Sequence, residues 1–118
     1  AARRWGVGEG RAALLRLRER FLALQKDRRE LQRLMVDSVP TFATLFRHAL
    51  ILSGAEAAVK KREIFLQAAE RFGISAAPFE TLLDVRQRQR KLAAAEIRPL
   101  FEDYLRQITS AAEHVDQL

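Results

Sequence analysis

Residues 31–52 carry an apolar seam at heptad spacing: Leu31, Met35, Ser38, Phe42, Leu45, Ala49 and Leu52, with Ser38 its one polar member. Alternate steps of four and three residues place all of them on one stripe of an α-helix. One helix cannot bury so long a stripe alone, so partner helices are required. The seam runs straight through Pro40. Proline removes a backbone hydrogen bond and clashes with the preceding turn, at a cost of ~3 kcal/mol in a regular helix. Because the heptad phase holds on both sides of Pro40, the spacing predicts one helix kinked at this residue.

The same periodicity organises the rest of the chain. A first helix is predicted over residues 9–25, with Leu14, Leu17, Phe21 and Leu24 on one face and Leu15 and Leu22 widening it. Asp27 suits the N-cap of the second helix, and Gly54 suits its C-terminal stop. A loop over 55–59 leads to a third helix over 60–72, with Ile64, Phe65, Ala68 and Phe72 inward and Gly73 at its end. Ser75 reads as the N-cap of a fourth helix over 76–88, with Pro78 in its tolerant first turn. The run from Arg86 to Lys91 reads as a basic connector or a frayed end. A fifth helix over 94–115 repeats the heptad seam through Ile97, Phe101, Tyr104, Ile108, Ala111 and Val115, and Pro99 is expected to bend it or delay its start. The predicted fold class is all-α: an up-and-down four-helix-type bundle with five helices. Residues 1–10 are expected to form a flexible lead-in or linker, and residues 11–118 a single bundle domain.

The 118 residues are 48% hydrophobic and 31% charged, a balance that fits one globular domain rather than a disordered chain. Cysteine is absent, which removes disulfides, thiolate nucleophiles and Cys-based zinc sites and suits a reducing cytoplasm. No apolar run reaches the roughly 18 residues a membrane span needs. The opening on Ala1 rather than methionine fits a segment of a longer protein.

Charge is placed unevenly. Up to Arg33 the chain has ten Lys/Arg against four Asp/Glu, and beyond it eleven against eleven, so the formal +6 belongs to the first third. Such a surface meets phosphate, nucleotide or nucleic acid, or else an acidic neighbour. The chain itself supplies acids near its C-terminus: Glu102, Asp103, Glu113 and Asp116. Arg11 and Arg18 sit between the two apolar flanks of helix one. An arginine in such an arc must snorkel, pair with an acid or meet an anionic ligand.

No catalytic constellation accompanies these features. His48 and His114 are the two histidines, and neither has a carboxylate or second histidine at helical ligand spacing. Gly6, Gly8 and Gly10 lack the following Lys-Ser/Thr of a phosphate loop. Glu102 and Asp103 are adjacent, so on a helix they diverge by about 100° and form no chelating pair.

Several phrases, taken in order, resemble the C-terminal helical region of bacterial nucleotidyltransferase-domain proteins. They are Leu14-Leu15-Arg16-Leu17-Arg18, Ser38-Val39-Pro40-Thr41-Phe42, Leu45-Phe46-Arg47-His48-Ala49-Leu50, Lys61-Arg62-Glu63-Ile64, Arg71-Phe72-Gly73-Ile74 with Ala77-Pro78-Phe79, and Leu100-Phe101-Glu102-Asp103-Tyr104-Leu105. The region is similar to the C-terminal domain of kanamycin nucleotidyltransferase and to the higher-eukaryote-and-prokaryote nucleotide-binding (HEPN-like) bundles. The resemblance implies a bundle that completes a nucleotide or acceptor cleft and supports dimerisation. It implies an N-terminal nucleotidyltransferase domain as partner, with the nucleoside triphosphate and Mg held there and no cofactor in this chain.

That family's catalytic Gly-Ser followed by Asp-x-Asp is missing, and Ser53-Gly54 stands in reversed order with no aspartate pair after it. Related ribonuclease bundles place four to six residues between an Arg and a His, whereas Arg106 and His114 have seven between them. The expectation is therefore a chain that is not an enzyme by itself, with Arg11, Arg18, Arg47 and His48 as ligand-binding candidates and no catalytic or metal-ligating residue. A homodimer and a nucleotide are the other expected partners, and nucleic acid and membrane are not expected. The alternative is a protein-interaction or dimerisation bundle without nucleotide binding.

Overall fold

The computed structural model describes residues 8–118. It is all-helical: α1 (Glu9–Ala23), α2 (Arg28–Leu52), α3 (Lys61–Phe72), α4 (Ala77–Arg86) and α5 (Ala94–Asp116). Helices α2 and α5 form the central pair, and each packs against all four other helices. Of the expected lead-in, residues 1–7 lie outside the described part, while Glu9 and Gly10 already belong to α1.

Burial of α2 is wider than its heptad seam. Leu31, Met35, Phe42, Leu45 and Ala49 are buried as the spacing predicts. A second row of Val39, Ala43, Phe46 and Leu50 is buried as well, because α2 has α5 against it and also α1, α3 and α4. The α5 seam is buried throughout. For α1 the expectation was too generous. Leu14 and Leu17 are buried, but Leu15 and Leu22 remain 55% and 66% exposed. Helix α1 touches only α2 and α5, so a narrow stripe satisfies it.

One set of rings ties the five helices together. Phe21 of α1 lies 4.8 Å from Phe101 of α5. Tyr104 of α5 meets Phe42 of α2 edge-on and reaches Phe79 of α4 at 5.4 Å. Phe79 stacks on Phe65 of α3 at 4.5 Å and meets Phe46 of α2 at 5.4 Å.

Ser38, the polar member of the seam, serves this core. Its Oγ donates to the Met35 carbonyl at 2.8 Å and lies 2.7 Å from the Tyr104 hydroxyl. A serine has one hydrogen, already used on Met35, so the Tyr104 O–H donates to Ser38. Burial pushes the Tyr104 hydroxyl far above its ordinary ionisation range. A serine donor would pull it back down, but the Ser38 hydrogen points to Met35.

Helix α2 continues unbroken through Pro40. Pro40 has no N–H, so the Val36 carbonyl one turn earlier loses its helical donor. The Arg86 guanidinium replaces it, with Nη1 3.0 Å from the Val36 oxygen. Pro99 does not delay α5, which starts at Ala94. The Ala95 carbonyl that Pro99 leaves without a helical donor belongs to an exposed residue, where water can take the bond.

The helix ends follow local chemistry. Asp27 caps α2 by accepting the Glu30 N–H at 3.1 Å. Ser75 stands one position earlier than a cap of α4, because Ala76 is the N-cap; its hydroxyl instead accepts the Ala77 N–H at 3.3 Å. Glu96 reaches back to the Ala93 N–H at 2.9 Å and receives Arg90 at 2.7 Å. The Ala93 N–H, then Arg90, hold its carboxyl below the usual carboxylate range. Ala93 is the N-cap of α5 and has no side-chain acceptor, so only half of a capping box is present. Ala93→Ser supplies the missing half and should raise stability by about 1 kcal/mol, read as a higher urea midpoint at unchanged slope.

Candidate anion-binding groove

Three of the four residues singled out in the sequence are engaged within the bundle. Arg11 pairs with Asp116 at the far end of α5. The Arg18 guanidinium donates to the Thr109 hydroxyl at 2.7 Å. Both therefore dock α1 on α5, and the C-terminal acids do supply a partner for part of the basic first third. Arg47 Nε donates to the Ala58 carbonyl at 3.0 Å. It shares with Gln67, which accepts the Ala58 N–H at 2.7 Å, the work of fixing the α2–α3 loop. His48 is exposed on α2. Arg11 and Arg18 thus secure α1 and Arg47 the α2–α3 loop, and no groove is lined by these four residues together.

A different set of cations does converge. The N-terminal half of α2, the end of α4 and the α4–α5 connection enclose an open groove of about 680 Å³. Arg28, Arg29 and Arg33 line it from α2, and Arg86 and Arg88 line it from the other side. Asp37 is the one carboxylate among its lining residues, and Val36, Val85, Leu92 and Ile97 give it an apolar part. A smaller depression lined by Lys26 and Arg98 shares Arg28 with the groove. Another, at the start of α3, is lined by Lys60, Lys61 and Arg62 and shares Arg86 with it.

The cations differ in how much of their hydrogen-bonding capacity is already used. Arg62 is held by Asp84 at 2.7 Å and Glu80 at 3.5 Å. Arg98 donates to the Gln25 carbonyl, and Arg86 to Val36. Arg33 has a loose surface pair with Glu30 at 3.6 Å, worth well under 1 kcal/mol. Arg28, Arg29 and Arg88 make no side-chain hydrogen bond or ion pair with any described residue. Arg16 and Arg20 on the exposed face of α1 are likewise without a partner among the described residues, but only Arg28, Arg29 and Arg88 of this set line a common groove. Arginine forks match the paired oxygens of phosphate or carboxylate, so this wall suits an anion with several such groups.

Nothing in the sequence alone joins Arg28–Arg33 to Arg86–Arg88. The basic run after Arg86 was visible, but its place opposite α2 depends on α4 packing beside α2, with Arg86 meeting Val36 across 50 positions of chain. Among the described residues there is no group of three or more His, Cys, Asp or Glu side chains placed to hold a metal. No described helix is long and apolar enough to cross a membrane.

No family model, curated protein or solved structure matches the chain.

Proposed function

We propose that this chain is a non-catalytic substrate-binding and interaction module of a nucleotidyltransferase-like protein in the cytoplasm. The bundle completes a nucleotide or acceptor cleft whose chemistry belongs to a companion catalytic domain. The observation that carries the reading is the convergence on one groove of Arg28, Arg29 and Arg88, which have no partner among the described residues. Its mechanism is positional. Preplaced guanidiniums hold the phosphate chain of a nucleotide, and the entropy of orienting it is settled before the reaction. The triphosphate's Mg belongs to the companion domain.

Nucleoside triphosphate at about tenfold its Kd should stabilise the folded chain by about 1.4 kcal/mol, read as a Tm rise of roughly 4 °C at low salt. The gain should shrink as salt rises. No shift with any nucleoside triphosphate, in the chain alone or joined to its catalytic domain, overturns the reading.

The exposure of Leu15 at 55% and Leu22 at 66% on α1 favours a second reading, a dimerisation or protein-interaction bundle. Sedimentation at two salt concentrations separates the two. A dimer that persists without nucleotide binding supports the second.

A further inference from the structure

Helix α4 ends on a residue poorly suited to its backbone. Arg88 has φ 59°, and it is the one non-glycine with positive φ among the described residues. The other three such positions are Gly8, Gly54 and Gly73.

Comparison of two helix ends shows how unusual this is. After α2, the Gly54 N–H bonds to the Ile51 carbonyl at 3.0 Å and the Ala55 N–H to the Leu50 carbonyl at 3.0 Å. After α4, the Arg88 N–H bonds to the Val85 carbonyl at 3.1 Å and the Gln89 N–H to the Asp84 carbonyl at 2.9 Å. Both are the same left-handed helix stop, in which the second residue past the helix is usually glycine. One stop has glycine; the other has an arginine, whose Cβ crowds the backbone in this conformation.

The strained position is also a groove position. Arg88 lines the wall opposite Arg28 and Arg29, and its guanidinium has no partner among the described residues. The neighbouring Arg86 is fixed on the Val36 carbonyl that Pro40 leaves free, which anchors the end of α4 to α2. Backbone strain at an open, charged wall points to a role for the residue in holding a ligand.

We infer that Arg88 is a phosphate-contacting residue of the groove, and that the ligand is a linear triphosphate chain gripped between Arg88 and the Arg28–Arg29 pair. The inference rests on the nucleotide-binding reading above and deepens it: the left-handed backbone at Arg88 singles this residue out for the ligand, and the phosphate chain is what the groove recognises. Arg28 and Arg29 line one wall of the groove and Arg88 the other, and each fork can take two oxygens of a phosphate chain laid between them. Inorganic triphosphate and the tail of a nucleoside triphosphate share this chemistry.

The test is titration calorimetry of the full chain with inorganic triphosphate and, separately, with ATP, without Mg and at low salt, together with thermal unfolding. Arg88→Gly should raise Tm by roughly 3 °C, because glycine accepts the turn. The same change should weaken both ligands about tenfold, because a charged fork is lost. Arg88→Lys should leave Tm within about 1 °C and weaken binding less, since charge remains without the fork. ATP within about threefold of inorganic triphosphate supports recognition of the phosphate chain alone, and tighter ATP binding supports the nucleotide as its source.

If Arg88→Gly is more stable yet binds like the parent chain, the Arg88 assignment falls and the groove reading stands. A less stable Arg88→Gly overturns the strain on which the assignment depends. Failure of the parent chain to bind either ligand overturns the Arg88 inference, and the groove reading falls with it only if the chain joined to its catalytic domain also shows no nucleotide response. A single-stranded oligonucleotide binding about hundredfold tighter than ATP in the same buffer overturns the triphosphate.

Discussion

Phe79→Ala should cost the fold about 3–5 kcal/mol, the largest single-residue loss in the bundle. Phe79 is fully buried. It stacks on Phe65 at an interplanar angle of 11°, meets Phe46 in an edge-type contact and lies tilted against Tyr104. Truncation removes the buried area of the ring and also opens a void bordered by α2, α3, α4 and α5. Those helices meet through rings that already contact each other, so they cannot close the gap without moving whole elements. With total stabilities of about 5–15 kcal/mol for domains of this kind, a large share of the folded population is at risk. Urea unfolding should show a lower midpoint at nearly unchanged slope. Phe79→Leu, which keeps most of the volume, should cost clearly less. A loss under about 1 kcal/mol for the alanine variant would mean the centre is loosely packed and the ring cluster does not hold the helices together.

The same cluster shows how far sequence pattern reaches. The seams of α2 and α5 were legible because each repeats through six or more heptad positions, and a proline did not disturb the phase. Leu15 and Leu22 were misjudged for the opposite reason. Period alone says which residues share a face, not how many neighbours that face will meet, and α1 meets only two helices. The ring contacts between Phe46, Phe65 and Phe79 depend on three helices arriving together, which no local window encodes. The apolar flanks leave Arg11 and Arg18 to snorkel, pair with an acid or meet an anion, and in the fold Arg11 meets Asp116 and Arg18 meets Thr109, both on α5. The groove was not legible, since its two walls are distant in sequence and its most telling feature is a backbone angle. Arg88 carries no composition signal that it stops a helix in a left-handed turn; only the bonds to Val85 and Asp84 show it.

Pro40, Arg86 and Arg88 link the fold to the proposed site. Proline within α2 frees the Val36 carbonyl, Arg86 takes it, and the end of α4 is thereby tied to the α2 surface that carries Arg28 and Arg29. The interruption that looks like a defect in the seam positions one wall of the groove against the other.

Stability should fall at alkaline pH through Tyr104. Its hydroxyl is buried and donates to Ser38, so the folded chain holds this proton well beyond the ordinary tyrosine value of 10.0. The unfolded chain releases it near that ordinary value. Above it the unfolded state binds fewer protons than the folded state, and stability drops by about 1.4 kcal/mol per pH unit. Below it the contribution is fully present. Between about pH 10 and pH 12 the loss from this group should amount to a few kcal/mol. Other groups titrate in the same window, so the measurement is a difference: urea unfolding of the parent chain and of Tyr104→Phe across this range. Near neutral pH the phenylalanine variant should be less stable by about 1 kcal/mol, the net worth of the bond to Ser38. As pH rises the two curves should converge and then cross, because only the parent chain has a buried hydroxyl to lose. Parallel curves over the whole range would mean that the hydroxyl ionises as readily in the folded state as in the unfolded one, which a closed core around α2 and α5 does not allow.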